Sequence, residues 1–377
     1  MQQNNETKAQ NFDRNPLKRV LIMAGGTGGH VFPGLAIAKY LRDRDVEVHW
    51  LGTSRGLEAQ LVPEADIPLH LITIGGLRGK GIKTLLAAPI KIMTAIKEAR
   101  RVIHEVKPDV VLGLGGFVSG PGGIASWLSH CPLVIHEQNA KAGFTNKILA
   151  RFAKRVLEGF PNAFAPQAKV IPIGNPIRHE IEALPAPDLR LNRADKEKLR
   201  LLVLGGSLGA KALNEMVPQA LAHLALADRP NVRHQTGEQH MEGAKKAYQS
   251  KEIDVNLTAF IKDMAGAYEW ADIVICRAGA LTVSELCAAG LGAVLVPFPH
   301  AVDDHQTANA QFMVDCHAAY CIQQRELTAE QLADIVRQFA QSPEKRLSMA
   351  KAAYSLRKVQ VAEKIFDILL DVVKSQH

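Results

Sequence analysis

Four glycines and a threonine run directly into a histidine at Gly25-Gly26-Thr27-Gly28-Gly29-His30, just after the short apolar run Val20 to Ala24. Glycine lets a backbone turn through positive φ and approach a ligand closely, and free N–H groups at the start of a following helix point at an anion. The pattern is that of a loop built to hold phosphate. It returns about half the chain later as Gly205-Gly206-Ser207-Leu208-Gly209, after the expected strand Leu199 to Leu204. Two more clusters, Gly75-Gly76 and Gly113-Leu114-Gly115-Gly116-Phe117-Val118-Ser119-Gly120-Pro121, lie in the first half. Any one of these glycines is more often a packing residue. The combination points to two similar lobes facing one phosphate-bearing reaction.

His30 stands at the mouth of the helix that follows its loop. The positive end of the helix dipole disfavours imidazolium there, which leaves a neutral ring able to act as a general base or to hold the loop by a hydrogen bond. His136-Glu137-Gln138-Asn139 follows the apolar run Pro132 to Ile135, at the carboxyl end of a strand, where ligands collect in open α/β sheets. In the second half, Asp272 to Glu285 reads as strand, glycine turn and helix. Glu285 then falls just past the first helical turn, placed to accept both vicinal hydroxyls of a ribose or to serve as an ordinary dipole-stabilising glutamate. Asp303, Asp304, His305 and Gln306 offer groups for sugar hydroxyls or a metal. Asp43-Arg44-Asp45 spells a possible metal motif, but between a helix and the next strand, opposite the carboxyl-end cleft, so no metal is assigned. Gly26-x-Gly28 opens a dinucleotide fingerprint, with Glu47 near the distance of a ribose-binding acid, but Val31 occupies its third glycine position. Nucleophile-elbow, zinc-protease and P-loop lysine motifs are absent as well.

These residues need a scaffold, and short Val/Ile/Leu-rich runs alternate with helical segments almost throughout, the pattern of α/β domains with parallel sheets covered on both faces. Strands are expected near 19–23, 46–51, 69–73, 109–113, 132–136 and 154–157, and again near 199–204, 231–235, 254–258, 272–276, 292–297 and 318–322. Helices at 328–340, 343–355 and 358–375 close the chain. Between the halves, residues 179–198 hold Pro185, Pro187 and mixed charge without a sustained period, and read as a linker. A length of 377 residues suits two domains. Residues 1–16, polar and without the apolar core of a secretory signal, read as a disordered extension of a cytoplasmic protein. The five cysteines show no C-x-x-C spacing.

The net charge of +7 is concentrated in Arg78 to Lys107, which carries eight basic and two acidic residues. Few aromatics interleave, against a single-strand nucleic-acid binder. In the helix expected from Pro89 to Val106, Ile92, Ile96, Ala99, Ile103 and Val106 share a core face. Ile82, Leu85, Leu86, Ile90 and Met93 fall off it among Lys83, Lys91 and other basic residues, as in an interfacial anchor on an anionic membrane, a subunit contact or ordinary packing.

The ordered set GGTGGH at 25–30, GGFVSGPGG at 115–123, HEQN at 136–139, GNPIR at 174–178, GGSLGA at 205–210 and RAGALTVSE at 277–285 closely resembles the MurG family of bacterial transferases, from about Lys18 to the C-terminus. The resemblance implies the GT-B fold, two Rossmann-like domains with parallel sheets facing a central cleft. It places an acceptor- and membrane-binding domain at 17–178 and a donor-binding domain at 199–357, with the last helix, 358–377, packing back on the first domain. It implies inverting, β-1,4 transfer of N-acetylglucosamine from UDP-N-acetylglucosamine to the 4-hydroxyl of lipid I, giving lipid II, with neither cofactor nor metal. Carried over by motif, Thr27, Gly28, Gly29, Asn139, Arg178, Ser207, Ile261, Ala280, Leu281, Thr282, Val283, Ser284, Glu285 and Gln306 are expected to bind the donor. Gly25, Gly26, Gly115, Gly116, Ser119 and Gly120 are expected to hold the acceptor diphosphate, with His30 as candidate base. The basic apolar segment then resembles the family's docking patch for the anionic inner face of the cytoplasmic membrane, which implies peripheral localisation and partners in the cell-wall and division machinery, not nucleic acid. A UDP-N-acetylglucosamine 2-epimerase, a nicotinamide oxidoreductase and a sugar-nucleotide sensor are the competing readings. The basic apolar patch and the GGFVSGP loop argue against the first and Val31 against the second, while a sensor would not need a second phosphate cleft.

Overall fold

The computed structural model describes residues 16–75, 88–191, 198–206 and 209–376. Its first sheet contains β1 (Arg19–Met23), β2 (Glu47–Gly52), β3 (Leu69–Leu71), β4 (Val110–Gly113), β5 (Leu133–Glu137), β6 (Arg155–Glu158) and β7 (Val170–Pro172), in the order β3-β2-β1-β4-β5-β6-β7. The second contains β8 (Arg200–Leu204), β9 (Asn231–Gln235), β10 (Asn256–Thr258), β11 (Ile273–Cys276), β12 (Gly292–Leu295) and β13 (Ala319–Cys321), in the order β10-β9-β8-β11-β12-β13. All pairings are parallel, with Val20 beside Val48 and Val110, and Val203 beside His234 and Ile275. Helices cover both faces of each sheet, which is why the central strands read as unbroken apolar runs: Val20, Leu21, Ile22 and Met23 are all fully buried.

This topology positions the site. Strand order reverses between β1 and β4 in one sheet and between β8 and β11 in the other, and a crevice opens outside the carboxyl ends of the strands at such a switch point. The turn at Gly25 follows β1 and that at Gly115 follows β4, while Gly205 follows β8 and Gly279 follows β11. The four glycine turns therefore flank the two switch points.

Twelve strands lie where the alternation predicts them, within a few residues at their ends. The thirteenth, β7, is a three-residue edge strand ending in Pro172, too short to carry a period. Within the segment read as a linker, the chain makes two short helices, His179–Glu182 and Pro187–Arg190, while residues 192–197 lie outside the described part. The last helix, Val361–Lys374, buries Val361, Ile365 and Leu369 in the same core as Leu17, Val20 and Ile22 of the first sheet. Phe366 meets Tyr40 edge-on at 6.1 Å, and the chain thus ends on the domain in which it began.

Candidate active site

Helices that open at the glycine turns begin without a side-chain cap. This holds for Gly28–Arg42, Ser119–Leu128, Lys211–Ala222 and Ala280–Ala289; elsewhere Asp263, Thr328 and Ser342 cap their helices, while others, such as Phe144–Leu149 and Met241–Gln249, are uncapped too. An uncapped start leaves first-turn N–H groups for a ligand, with the helix dipole favouring an anion. Gly279 enters its helix in an extended conformation, so the first N–H groups, those of Ala280 to Thr282, project from the end of β11. Val283 is fully buried in the core and its N–H donates to Gly279 O at 2.9 Å, so neither its side chain nor its N–H is open to a donor.

His30 packs edgewise on the second turn: a Cβ on Gly115 would lie 2.7 Å from its Cδ2. Thr27 Oγ1 lies 3.3 Å from its Nδ1. Burial lowers the His30 pKa, Glu137 pushes it up, His305 from the second half lowers it, and Gly25 and Glu58 push it up to a lesser extent, for a net decrease. The ring is therefore neutral near pH 7 and able to take a proton.

The polar run after β5 is tied to both lobes. Glu137 accepts from Asn139 N and Nδ2, both at 3.1 Å, from Gly143 N at 3.0 Å and from Asn146 Nδ2 at 2.9 Å. Asn139 Oδ1 in turn accepts from Nδ2 of Asn309, a fully buried residue of the helix His305–Val314, whose Oδ1 accepts from Ala140 N at 2.8 Å. Sequence reasoning missed Asn309; the only local hint is its place one helical turn after Gln306. A second crossing joins Asn175 Nδ2 to Ser284 Oγ at 3.0 Å, and a third joins Arg178 to Glu285 at 3.1 Å.

Glu285, the expected ribose ligand, also accepts from the buried Tyr268 hydroxyl at 2.9 Å. Burial raises its pKa, with Arg178 and Tyr268 opposing that rise. Tyr268, raised well above the ordinary phenol range by burial and by Glu285, keeps its proton and donates. Ile261 N donates to Oε1 of buried Gln235, whose Nε2 donates to Gly206 O, so the main chain at this expected donor-binding position is braced against the second-half glycine turn. Gln306 Oε1 accepts from Phe298 N at 2.8 Å, and Arg277 Nη1 donates to Val296 O and Pro297 O. Both hold the loop after β12. Ser207 lies outside the described residues.

Three of the six positions expected to meet the acceptor diphosphate are committed inward. Gly26 N donates to Glu58, Gly115 N donates to Ser119 Oγ, and Ser119 is fully buried with its hydroxyl donating to Gly115 O at 2.8 Å. The physical reason is the packing of the two turns on each other, which turns that hydroxyl away from the cleft. Gly116 has φ +82°, and a Cβ there would lie 2.2 Å from Gly25 O. Gly116→Ala therefore meets both a disfavoured dihedral and a backbone clash. It is expected to lower stability by about 2–4 kcal/mol, read from the urea midpoint, and to depress any acceptor-dependent rate more than donor affinity.

On the helix Ala88–Val106, Ile96, Ala99, Ile103 and Val106 are buried on the core face and Ile92 packs beside them, while Ile90 and Met93 are 72% and 56% exposed next to exposed Lys91. Ile82, Lys83, Leu85 and Leu86 lie outside the described residues. Among the described residues, no helix is long and apolar enough to cross a membrane.

Two doubly wound parallel sheets, joined across a cleft that collects glycine turns and uncapped helix starts, define a glycosyltransferase of the GT-B fold. Models of the glycosyltransferase family 28 N-terminal and C-terminal domains match residues 20–158 and 200–365. The chain belongs to the MurG family within glycosyltransferase family 28. The crystal structure of Acinetobacter baumannii MurG is similar to it at a TM-score of 0.82 and 43% identity, over 94% of this chain and 99% of that one. Two curated relatives named UDP-N-acetylglucosamine–N-acetylmuramyl-(pentapeptide) pyrophosphoryl-undecaprenol N-acetylglucosamine transferase are similar throughout. That of Marinobacter nauticus is 54% identical over 95% of this chain and 98% of its own, and that of Aeromonas hydrophila 53% over 93% and 96%.

Proposed function

We propose that this protein transfers N-acetylglucosamine from UDP-N-acetylglucosamine to the 4-hydroxyl of undecaprenyl-diphospho-N-acetylmuramoyl-pentapeptide, lipid I, and so forms lipid II. The observation that carries the reading is 54% identity, over a match that covers 95% of the chain, to a relative with that N-acetylglucosamine transfer in its name. In this scheme the second lobe holds the donor. Glu285 takes the ribose, the main chain of Ile261 reads the uracil, the first-turn N–H groups of Ala280 to Thr282 face the diphosphate, and Asn139 and Gln306 meet the sugar. His30 removes the proton as the acceptor oxygen attacks the anomeric carbon, and UDP leaves from the opposite face with inversion. Negative charge grows on the departing diphosphate, and fixed N–H dipoles stabilise it without reorganising.

The acceptor is a lipid, and the patch around Ile90 and Met93 supports peripheral docking on an anionic bilayer. Burying each of these side chains is worth roughly 1.5–3 kcal/mol, and each nearby lysine about 1 kcal/mol at an anionic surface. Such a sum gives reversible attachment. Replacing Ile90 and Met93 together by Asp is expected to lower the partition coefficient onto phosphatidylglycerol vesicles by about a hundredfold or more, read by co-sedimentation, while leaving donor binding intact.

The deciding experiment incubates the protein with radiolabelled UDP-N-acetylglucosamine and a short-chain lipid I analogue in the presence of EDTA. Label is expected in the lipid product. Donor binding without transfer would favour a 2-epimerase or a sugar-nucleotide sensor, and absence of donor binding would overturn the assignment.

A further inference from the structure

A buried carboxylate lies beneath the first glycine turn and takes no part in the scheme above. Glu58, at the start of the helix Glu58–Glu64, is fully buried. A carboxylate placed there without partners would cost several kcal/mol. Instead, its Oε2 accepts from Gly26 N at 2.9 Å, and its Oε1 accepts from Thr53 N at 3.1 Å and Thr53 Oγ1 at 2.7 Å. The chain also clears space for it. A Cβ on Gly56 would lie 1.9 Å from Glu58 Oε2, one on Gly25 2.7 Å from Oε1 and one on Gly52 2.8 Å from Cγ. Three glycines thus surround one side chain, and one of them belongs to the turn itself. The Gly26 N–H is the kind of donor that a phosphate takes in such turns, and here an internal carboxylate takes it from below.

We propose that Glu58 is a positioning residue for transfer, fixing the turn at Gly25 to Gly29 from beneath and thereby setting where His30 meets the acceptor. This rests on the reading of His30 as the base. Glu58 touches no reacting group; it acts by holding the turn and by its charge near His30. Of the turn's donors Glu58 takes the Gly26 N–H, which leaves the uncapped start of the helix Gly28–Arg42 open toward the cleft.

The charged and titratable groups facing His30 are Glu137 from the end of β5, His305 from the second lobe and Glu58, and the two carboxylates hold the imidazole pKa up against burial and His305. Removing the Glu58 charge therefore lowers the His30 pKa further, and the base stays unprotonated to a more acidic pH. The acid limb of kcat/KM moves down. A side chain that merely propped the fold would reduce the amplitude of the profile without moving its limb.

The test compares Glu58→Gln with wild type in steady-state transfer to a lipid I analogue across pH, alongside UDP-N-acetylglucosamine binding by calorimetry. The expected result is an approximately tenfold lower kcat, a lower acid limb and a donor Kd within about twofold. Unchanged kcat, an unmoved acid limb, or a loss of donor affinity equal to the loss of kcat overturns the proposal. If Glu58→Gln fails to fold, Thr53→Val removes one donor and keeps the charge. It is expected to lower kcat about threefold with the limb in place, and wild-type kcat in that variant overturns the proposal. Wild-type protein that binds donor without transferring it would instead refute the transferase reading, an outcome distinct from either.

Discussion

His30→Ala is expected to lower kcat by about a thousandfold while donor affinity stays within about twofold. The magnitude follows from the role. A positioned general base contributes roughly 10²- to 10⁴-fold, or about 3–5 kcal/mol of barrier, and the attacking sugar hydroxyl has almost no anionic form of its own near pH 7. The selectivity follows from geometry, because His30 lies on the first lobe against Gly115, while the expected ribose and uracil contacts lie on the second. The pH dependence has a definite sign. Burial holds the His30 pKa below its ordinary value, so the neutral base persists into mildly acidic solution, and activity falls only as pH drops through that lowered value. Steady-state transfer of labelled sugar to a lipid I analogue, with calorimetric donor binding in parallel, reads both quantities. A variant with wild-type kcat would remove His30 from the chemistry and leave it a loop-holding role.

The parts of this protein that sequence made legible are those whose signal is local. Parallel strands buried on both faces must be continuous apolar runs, so Val20 to Met23 and Leu201 to Leu204 identify themselves, and a glycine turn directly after such a run marks a place where backbone must come close to something. The order of strands then brings the four turns together, and no local pattern carries that step. What stayed hidden depends on partners far along the chain. Asn309 bonds Ala140 from 169 positions away, and nothing around it distinguishes it from any other asparagine on a helix. Tyr268 looks like a core residue of its helix, which it is, but its hydroxyl ends on Glu285. Glu58 opens a short amphipathic helix where a glutamate reads as an ordinary first-turn acid, and its burial depends on Gly25, Gly52 and Gly56 converging on it. Ser119 illustrates the reverse: a serine after two glycines at a helix start reads as a ligand contact, and the packing of one turn on the other directs its hydroxyl inward.

The second large effect concerns the donor. Glu285→Gln is expected to raise the Kd for UDP-N-acetylglucosamine by about a hundredfold, with kcat at saturating donor reduced by only a few-fold. Two hydrogen bonds from ribose hydroxyls to a carboxylate are worth roughly 1.5–3 kcal/mol each before exchange is counted. Exchange is substantial here, because Glu285 is already bonded to Arg178 at 3.1 Å and to Tyr268 at 2.9 Å, so the ribose gains only what it offers beyond those partners. About 2–3 kcal/mol is left, which sets the hundredfold expectation. Burial raises the Glu285 pKa despite Arg178 and Tyr268, so its ionised form is lost at a higher pH than for an exposed glutamate. Wild-type donor affinity is therefore expected to weaken on acidification, as pH falls through that raised value. The glutamine variant, which has no proton to gain, should show a flat profile over the same range. Calorimetric titration of donor at a series of pH values distinguishes the two, and a wild-type Kd that stays constant on acidification, with Glu285→Gln binding as tightly, would mean that the ribose is held elsewhere in the cleft.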